Sequence, residues 1–171
     1  SAASVDVTVA RYTATDALGN TSAAASEVIT VAAVNTAPVV STSAFAMNEF
    51  ATVALNGRGY SVSDVDSGSN TLQLTIASAD TDNIIDVDVG TSGVAIVSGD
   101  NSSSVVLTGT LDQLNALLAS AGGAAGSIAY TDVAQTGGGP ADGSTHEITL
   151  TALDQAGFAG GSAQTGQSTV T

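Results

Sequence analysis

The sequence predicts an all-β fold, an antiparallel β-sandwich with one short helix, and three observations carry that reading. Short runs rich in Val, Ile, Thr and Leu alternate with polar residues, the period-two pattern of a half-buried strand. Clusters of Gly, Ser, Asn and Asp break the runs apart, as turns require. A single stretch, "TLDQLNALLAS", has the leucine spacing of a helix.

Taken in order, the runs at 5–13 and 28–34 predict a strand pair at the start of the chain. In "AAVNTAPVV", Pro38 fixes the backbone dihedral and stiffens the start of a strand over 38–45. Further strands are predicted over 52–56, 71–78, 84–89, 94–98 and 104–109, with "VSDVDSGSN" as a loop before 71–78. The helix follows, with Leu111, Leu114, Leu117 and Leu118 on one face and Thr110 and Asp112 suited to its first turn. Strands over 127–131, 147–153 and 168–171 complete the chain.

The composition excludes whole classes of function. The 171 residues carry 16 acidic side chains against Arg11 and Arg58, with no lysine, for a formal charge of −14. Nucleic acid and anionic membrane both demand basic surface, so neither is expected as a partner. A hydrophobic content of 43% and a positive mean hydropathy of +0.31 point to a folded chain in spite of that charge. There is no cysteine for a disulfide or thiolate site, and no apolar run of membrane-spanning length.

An internal repeat sets the domain organisation. "TATDALGN" from position 13 and "TALDQAGF" from position 151 share T-A-x-D-x-x-G, each after an alternating strand. Residues 1–35 are therefore read as the C-terminal hairpin and linker of one repeat, and 36–171 as a second repeat.

"VNTAPVV" at the join, "SDVDSGSN", "GTLDQLNALLAS" before "IAYT", and the closing "TALDQAG" together resemble the cadherin-like or Ig-like tandem modules of large secreted bacterial adhesins, many of them exported by type I secretion. The resemblance covers most of residues 28–160. It implies a seven-strand Greek-key sandwich, a non-enzymatic extender or adhesion module at the bacterial cell surface or in a biofilm, neighbouring repeats of the same chain as partners, and Ca2+ at the junctions. A surface glycan or matrix is a further partner class. By similarity to cadherins, the "DVD" of Asp64 and Asp66 stands for their acidic D-x-D motif, and Asp154 for the aspartate before the final strand. With Asn35 in the linker these residues form the expected calcium set, since a hard cation takes carboxylate and carbonyl oxygens. The linker departs from the cadherin pattern, because "VNTAP" lacks flanking aspartates, which favours one ion per junction. Asp16, in the first copy of the repeat, and Glu49 and Asp112, expected at the opposite end of the module, are secondary candidates. The alternative for Asp64, Asp66 and Asp154 is turn chemistry, since Asp readily bonds its own backbone.

Asp86 and Asp88 alternate with Ile85, Val87 and Val89, which predicts a charged outer strand face that discourages edge pairing. Asp80 and Asp82 read as a solvated turn, with a second ion site as the alternative. Catalysis finds little support. The lone His146 sits at a predicted strand start, there is no tryptophan, and only three tyrosines are present as sugar platforms. A lectin-like module using loops such as 132–144, and an accessory β-domain of a secreted hydrolase, stand as the other readings.

Overall fold

The structure is a computed structural model that describes residues 4–32, 35–133, 145–154 and 162–171. Among these, twelve strands form four antiparallel sheets with one short helix. Strands β1 (Ser4–Tyr12) and β2 (Ala25–Ala32) pair with each other in a two-stranded sheet of their own.

The remaining strands wrap one core. β3 (Val39–Ser41) pairs with β5 (Ser61–Ser63). β4 (Thr52–Ala54), β10 (Ser127–Thr131) and β7 (Ile84–Asp88) form a three-stranded sheet with β10 central. The largest sheet has five strands in the order β12-β11-β6-β9-β8: β12 is Thr165–Val170, β11 Ile148–Asp154, β6 Thr71–Ser78, β9 Ser104–Thr110 and β8 Ala95–Ser98. Period-two alternation becomes burial on the inner faces. Leu72, Leu74 and Ile76 of β6, Val105 and Leu107 of β9, and Ile128 and Tyr130 of β10 are all at most 1% exposed and share one hydrophobic cluster. On β7, Ile85 and Val87 are buried while Asp86 and Asp88 are exposed, the charged outer face the sequence predicts.

Helix α1 (Leu111–Ala119) begins with a capping box, in which the Thr110 hydroxyl accepts from the Gln113 N–H and the Gln113 side chain accepts from the Thr110 N–H. Leu114, Leu117 and Leu118 are buried and Leu111 is partly buried against the core.

Two expectations are corrected. The run 38–45 is a strand only at Val39–Ser41, and a three-residue strand that the sequence reading missed, β5, lies before the "DVD" loop. The signal at β5 is one buried valine between serines, too short to show alternation. Its position depends on a distant residue. The Asn115 carboxamide of α1 accepts from the Val62 N–H at 2.9 Å and donates to the Val62 carbonyl at 2.8 Å, acting as a strand neighbour would.

Candidate functional site

The core stripe of β11 ends in a carboxylate. Ile148, Leu150, Ala152 and Asp154 are its inward positions, and Asp154 is fully buried where the alternation would place an apolar side chain. Burial of a charge requires hydrogen-bond partners. Asp154 accepts from the Gln164 N–H at 2.5 Å and from the Asn35 carboxamide at 2.6 Å, so it holds the linker against the sandwich. The same Asn35 amide also donates to the Ser162 carbonyl at 2.9 Å. The close approach of β12 to the linker requires a glycine, since a Cβ on Gly166 would lie 1.7 Å from the Pro38 carbonyl oxygen.

The loop from Asp64 meets the linker at the same place. Asp66 accepts from the Thr36 N–H at 2.8 Å through Oδ2, and its own N–H donates to Asp64 Oδ1 at 3.1 Å. Asp154 opposes Leu72 in the pairing of β11 with β6, the strand that this loop enters. The structure thus brings together Asn35, Asp64, Asp66 and Asp154, four residues spread over the length of the chain.

Each of the first three uses one polar atom in these contacts and leaves another without a partner. Asn35 Oδ1, Asp64 Oδ2 and Asp66 Oδ1 are all buried oxygens that accept no hydrogen bond. Such atoms are rare in native folds and require an explanation. Burial, followed by the hydrogen bond and charge of Asp66 and the charge of Asp154, pushes the Asp64 carboxyl above the ordinary carboxylate range. The loop hydrogen bond to the Asp66 N–H opposes that rise without cancelling it. Turn chemistry accounts for Asp64 Oδ1 and the Thr36 N–H of the linker for Asp66 Oδ2, and neither accounts for the orphaned oxygens.

The donor set fits a hard cation of the calcium kind: one oxygen of each of two carboxylates and one amide oxygen are bare, and Asp154 holds the residue that carries the amide. Among the described residues no three His, Cys, Asp or Glu side chains form a ready-made metal group. An ion at this place would need the Asn35 amide oxygen as well as carboxylates, a mixture common for calcium. Of the two arginines, Arg58 is engaged elsewhere, its guanidinium 4.1 Å from the centre of the Phe45 ring.

The secondary candidates lie apart. Asp16 accepts from the N–H groups of Leu18 and Asn20 and from the Asn20 side chain, all at 2.9 Å, and the Asn20 side chain foremost lowers its carboxyl from the ordinary value. It is a turn residue of the β1–β2 hairpin. Glu49 lies at the end of the sandwich opposite Asp154, lining a pocket with Ile148, the first residue of β11. Asp112 was expected at that opposite end, and this is corrected. Thr110 pairs with Thr71, so the helix starts at the end from which the "DVD" loop departs, and Asp112 is an exposed first-turn residue beside the cap.

No family model matches the chain, and no curated protein and no solved structure matches it. Among the described residues no helix is long and apolar enough to cross a membrane.

The sequence reading missed a second polar group. His146, expected at a strand start, lies just before β11 with its ring partly buried and in contact with Asn83. Asp132 stood in that reading only as the start of a candidate binding loop, of which 134–144 lie outside the described residues. It is 4% exposed and extends the inward stripe of Ile128 and Tyr130 on β10. The available signal is the same one that Asp154 shows, an aspartate in phase with the buried positions of its strand.

Proposed function

We propose that this protein is a calcium-stiffened extender or adhesion module of a bacterial cell-surface or biofilm adhesin, built as a seven-strand Greek-key sandwich and joined end to end with neighbouring repeats. One observation carries the reading: Asn35 of the linker and Asp64 and Asp66 of the sandwich each direct a buried oxygen to no protein partner at the point where linker and sandwich meet. A cation bound there neutralises carboxylates that otherwise repel, and it binds the assembled junction better than a loosened one. Asp64, Asp66 and the Asn35 amide oxygen would be ligands, and Asp154 would hold Asn35 in place. The stiffening is linkage: the ion lends its binding free energy to one angle between hairpin and sandwich. Expected affinity is modest, with a dissociation constant on the order of 0.1 to 1 mM, as for other extracellular modules.

Small-angle scattering tests this on a two-repeat protein. We expect an extended particle in millimolar calcium that bends at residues 33–38 when chelated. Replacing both Asp64 and Asp66 by Asn should abolish the response and leave the far-UV β signature unchanged. Identical profiles with calcium and with chelator would sink the stiffened-junction mechanism.

A further inference from the structure

The end of the sandwich remote from Asp154 holds a pocket of about 630 Å3. Its wall is apolar, with Phe45, Met47, Ile148 and Val170, and its polar side is formed by Asn48, Glu49, Asp132 and His146. That volume lies within the range of small-molecule sites, roughly 300–1,000 Å3. Asp132 is the decisive residue. Its Oδ2 accepts from the Phe50 N–H at 2.9 Å, while its Oδ1 is buried and accepts nothing. Phe50 itself is held at a φ of 55°, a strained value for an aromatic residue, and it is 52% exposed beside Glu49.

The hydrogen-bond network determines what the opposite side of the gap offers. Asn83 accepts from the Val133 N–H at 2.9 Å through Oδ1, so its Nδ2 is the atom that donates to the Tyr130 hydroxyl at 2.6 Å and contacts His146 Nδ1 at 3.3 Å. A carboxamide nitrogen only donates, which makes Nδ1 the acceptor and places the ring proton on Nε2. That Nε2–H faces Asp132 Oδ1 across 3.9 Å. The distance is too long for a hydrogen bond, and because Oδ1 is covered, an oxygen about 2.8 Å from each atom enters only when the side chains around Oδ1 give way.

An atom placed there must donate to a carboxylate and accept from an N–H. A hydroxyl group does both. An ammonium group meets a second donor at His146, a metal ion meets a protonated ring nitrogen, and a carboxylate meets Asp132 and Glu49 in a chain of charge −14. We propose that this pocket binds a neutral, hydroxyl-rich ligand of the monosaccharide class, with one hydroxyl bridging Asp132 and His146 and the carbon face of the ring against the apolar wall. The site is separate from the calcium junction and does not depend on it.

Saturation-transfer NMR on the present chain tests the proposal, with methyl glycosides of the common neutral hexoses, glucosamine and glucuronate as probes, each in calcium and in chelator. Amide-shift mapping locates the site. At least one neutral glycoside should bind at about 10 mM or below. It should shift Asn48, Phe50, Asp132 and Thr145, with or without calcium. Asp132→Asn retains an acceptor for the Phe50 N–H and so should stay folded. Both it and His146→Ala should weaken binding roughly tenfold or more by leaving one hydroxyl contact unmade. The surface variant Asp86→Asn should bind as the wild type does. Four results would each overturn the proposal: no transfer from any neutral glycoside to folded protein, glucuronate or glucosamine binding as tightly, shifts confined to other surfaces, or affinity unchanged in both pocket variants.

Discussion

Asp64 is the residue at which the calcium reading and the acid–base chemistry of the chain meet. Its folded-state pKa is raised, chiefly by burial, so ionising it costs stability when no cation is present. For a raised carboxyl the folded state holds the proton more tightly than the unfolded chain. No penalty exists below the ordinary carboxylate value of about 4, and the penalty grows as pH rises from there through the raised value. We expect the urea midpoint of the chelated protein, relative to that of Asp64→Asn, to fall across this window and then level off. The subtraction cancels the carboxylates remote from Asp64, among them Asp16, whose shift has the opposite sign, and leaves Asp64 together with its neighbours Asp66 and Asp154. Millimolar calcium should remove the decline in the wild type. A difference that stays flat with pH in chelator would mean that Asp64 is solvated like an ordinary turn aspartate. The "DVD" spacing made this residue visible in the sequence, but its orphaned Oδ2 depends on where Asp66 and the linker lie, which spacing does not encode.

Helix α1 shows how a local signal and a distant contact combine in one element. Its existence and bounds follow from the Thr110 cap and the leucine spacing, because capping and amphipathicity are properties of neighbouring residues. Leu114 and Leu118 are fully buried and Leu117 is 1% exposed, so truncating any of them to Ala should lower unfolding stability by about 2 to 5 kcal/mol. Chemical denaturation reads this directly. Losses below about half a kcal/mol at all three would indicate a surface loop that contributes no packing. The role of Asn115 could not be read in the same way. It faces β5, whose three residues become a strand only because β3 and the Asn115 carboxamide satisfy their backbone groups. The long strands were legible for the converse reason. In β6 and β10 the inner face is an unbroken alternating stripe, and one-residue slips would expose all of it.

At the scale of the whole molecule, the sheet pairings bear on which parts of the chain fold together. Among the residues whose burial is described, the hydrophobic cluster lies between Val40 and Val170, and among the described strands β1 and β2 pair with each other in a sheet of their own. Removing residues 1–35 should therefore leave a cooperatively unfolding sandwich that has lost the Asn35 seat on Asp154. Calorimetry of the shortened chain checks this, and a broad, non-cooperative transition would mean that the hairpin belongs to the same folding unit. The amino-acid sequence alone determined the all-β class, the helix and its buried face, the acidic character of the chain, and the identity of the aspartates worth examining. These are carried by composition and by contacts within a few residues. The three-dimensional fold decided which oxygens are left without partners, that Asp154 holds Asn35, that Asp112 lies at the junction end, and that Asp132 and His146 face each other across a pocket. Those facts arise from pairings between residues as much as 119 positions apart. Hydrogen-bond satisfaction is a property of the finished packing, and no local pattern specifies it.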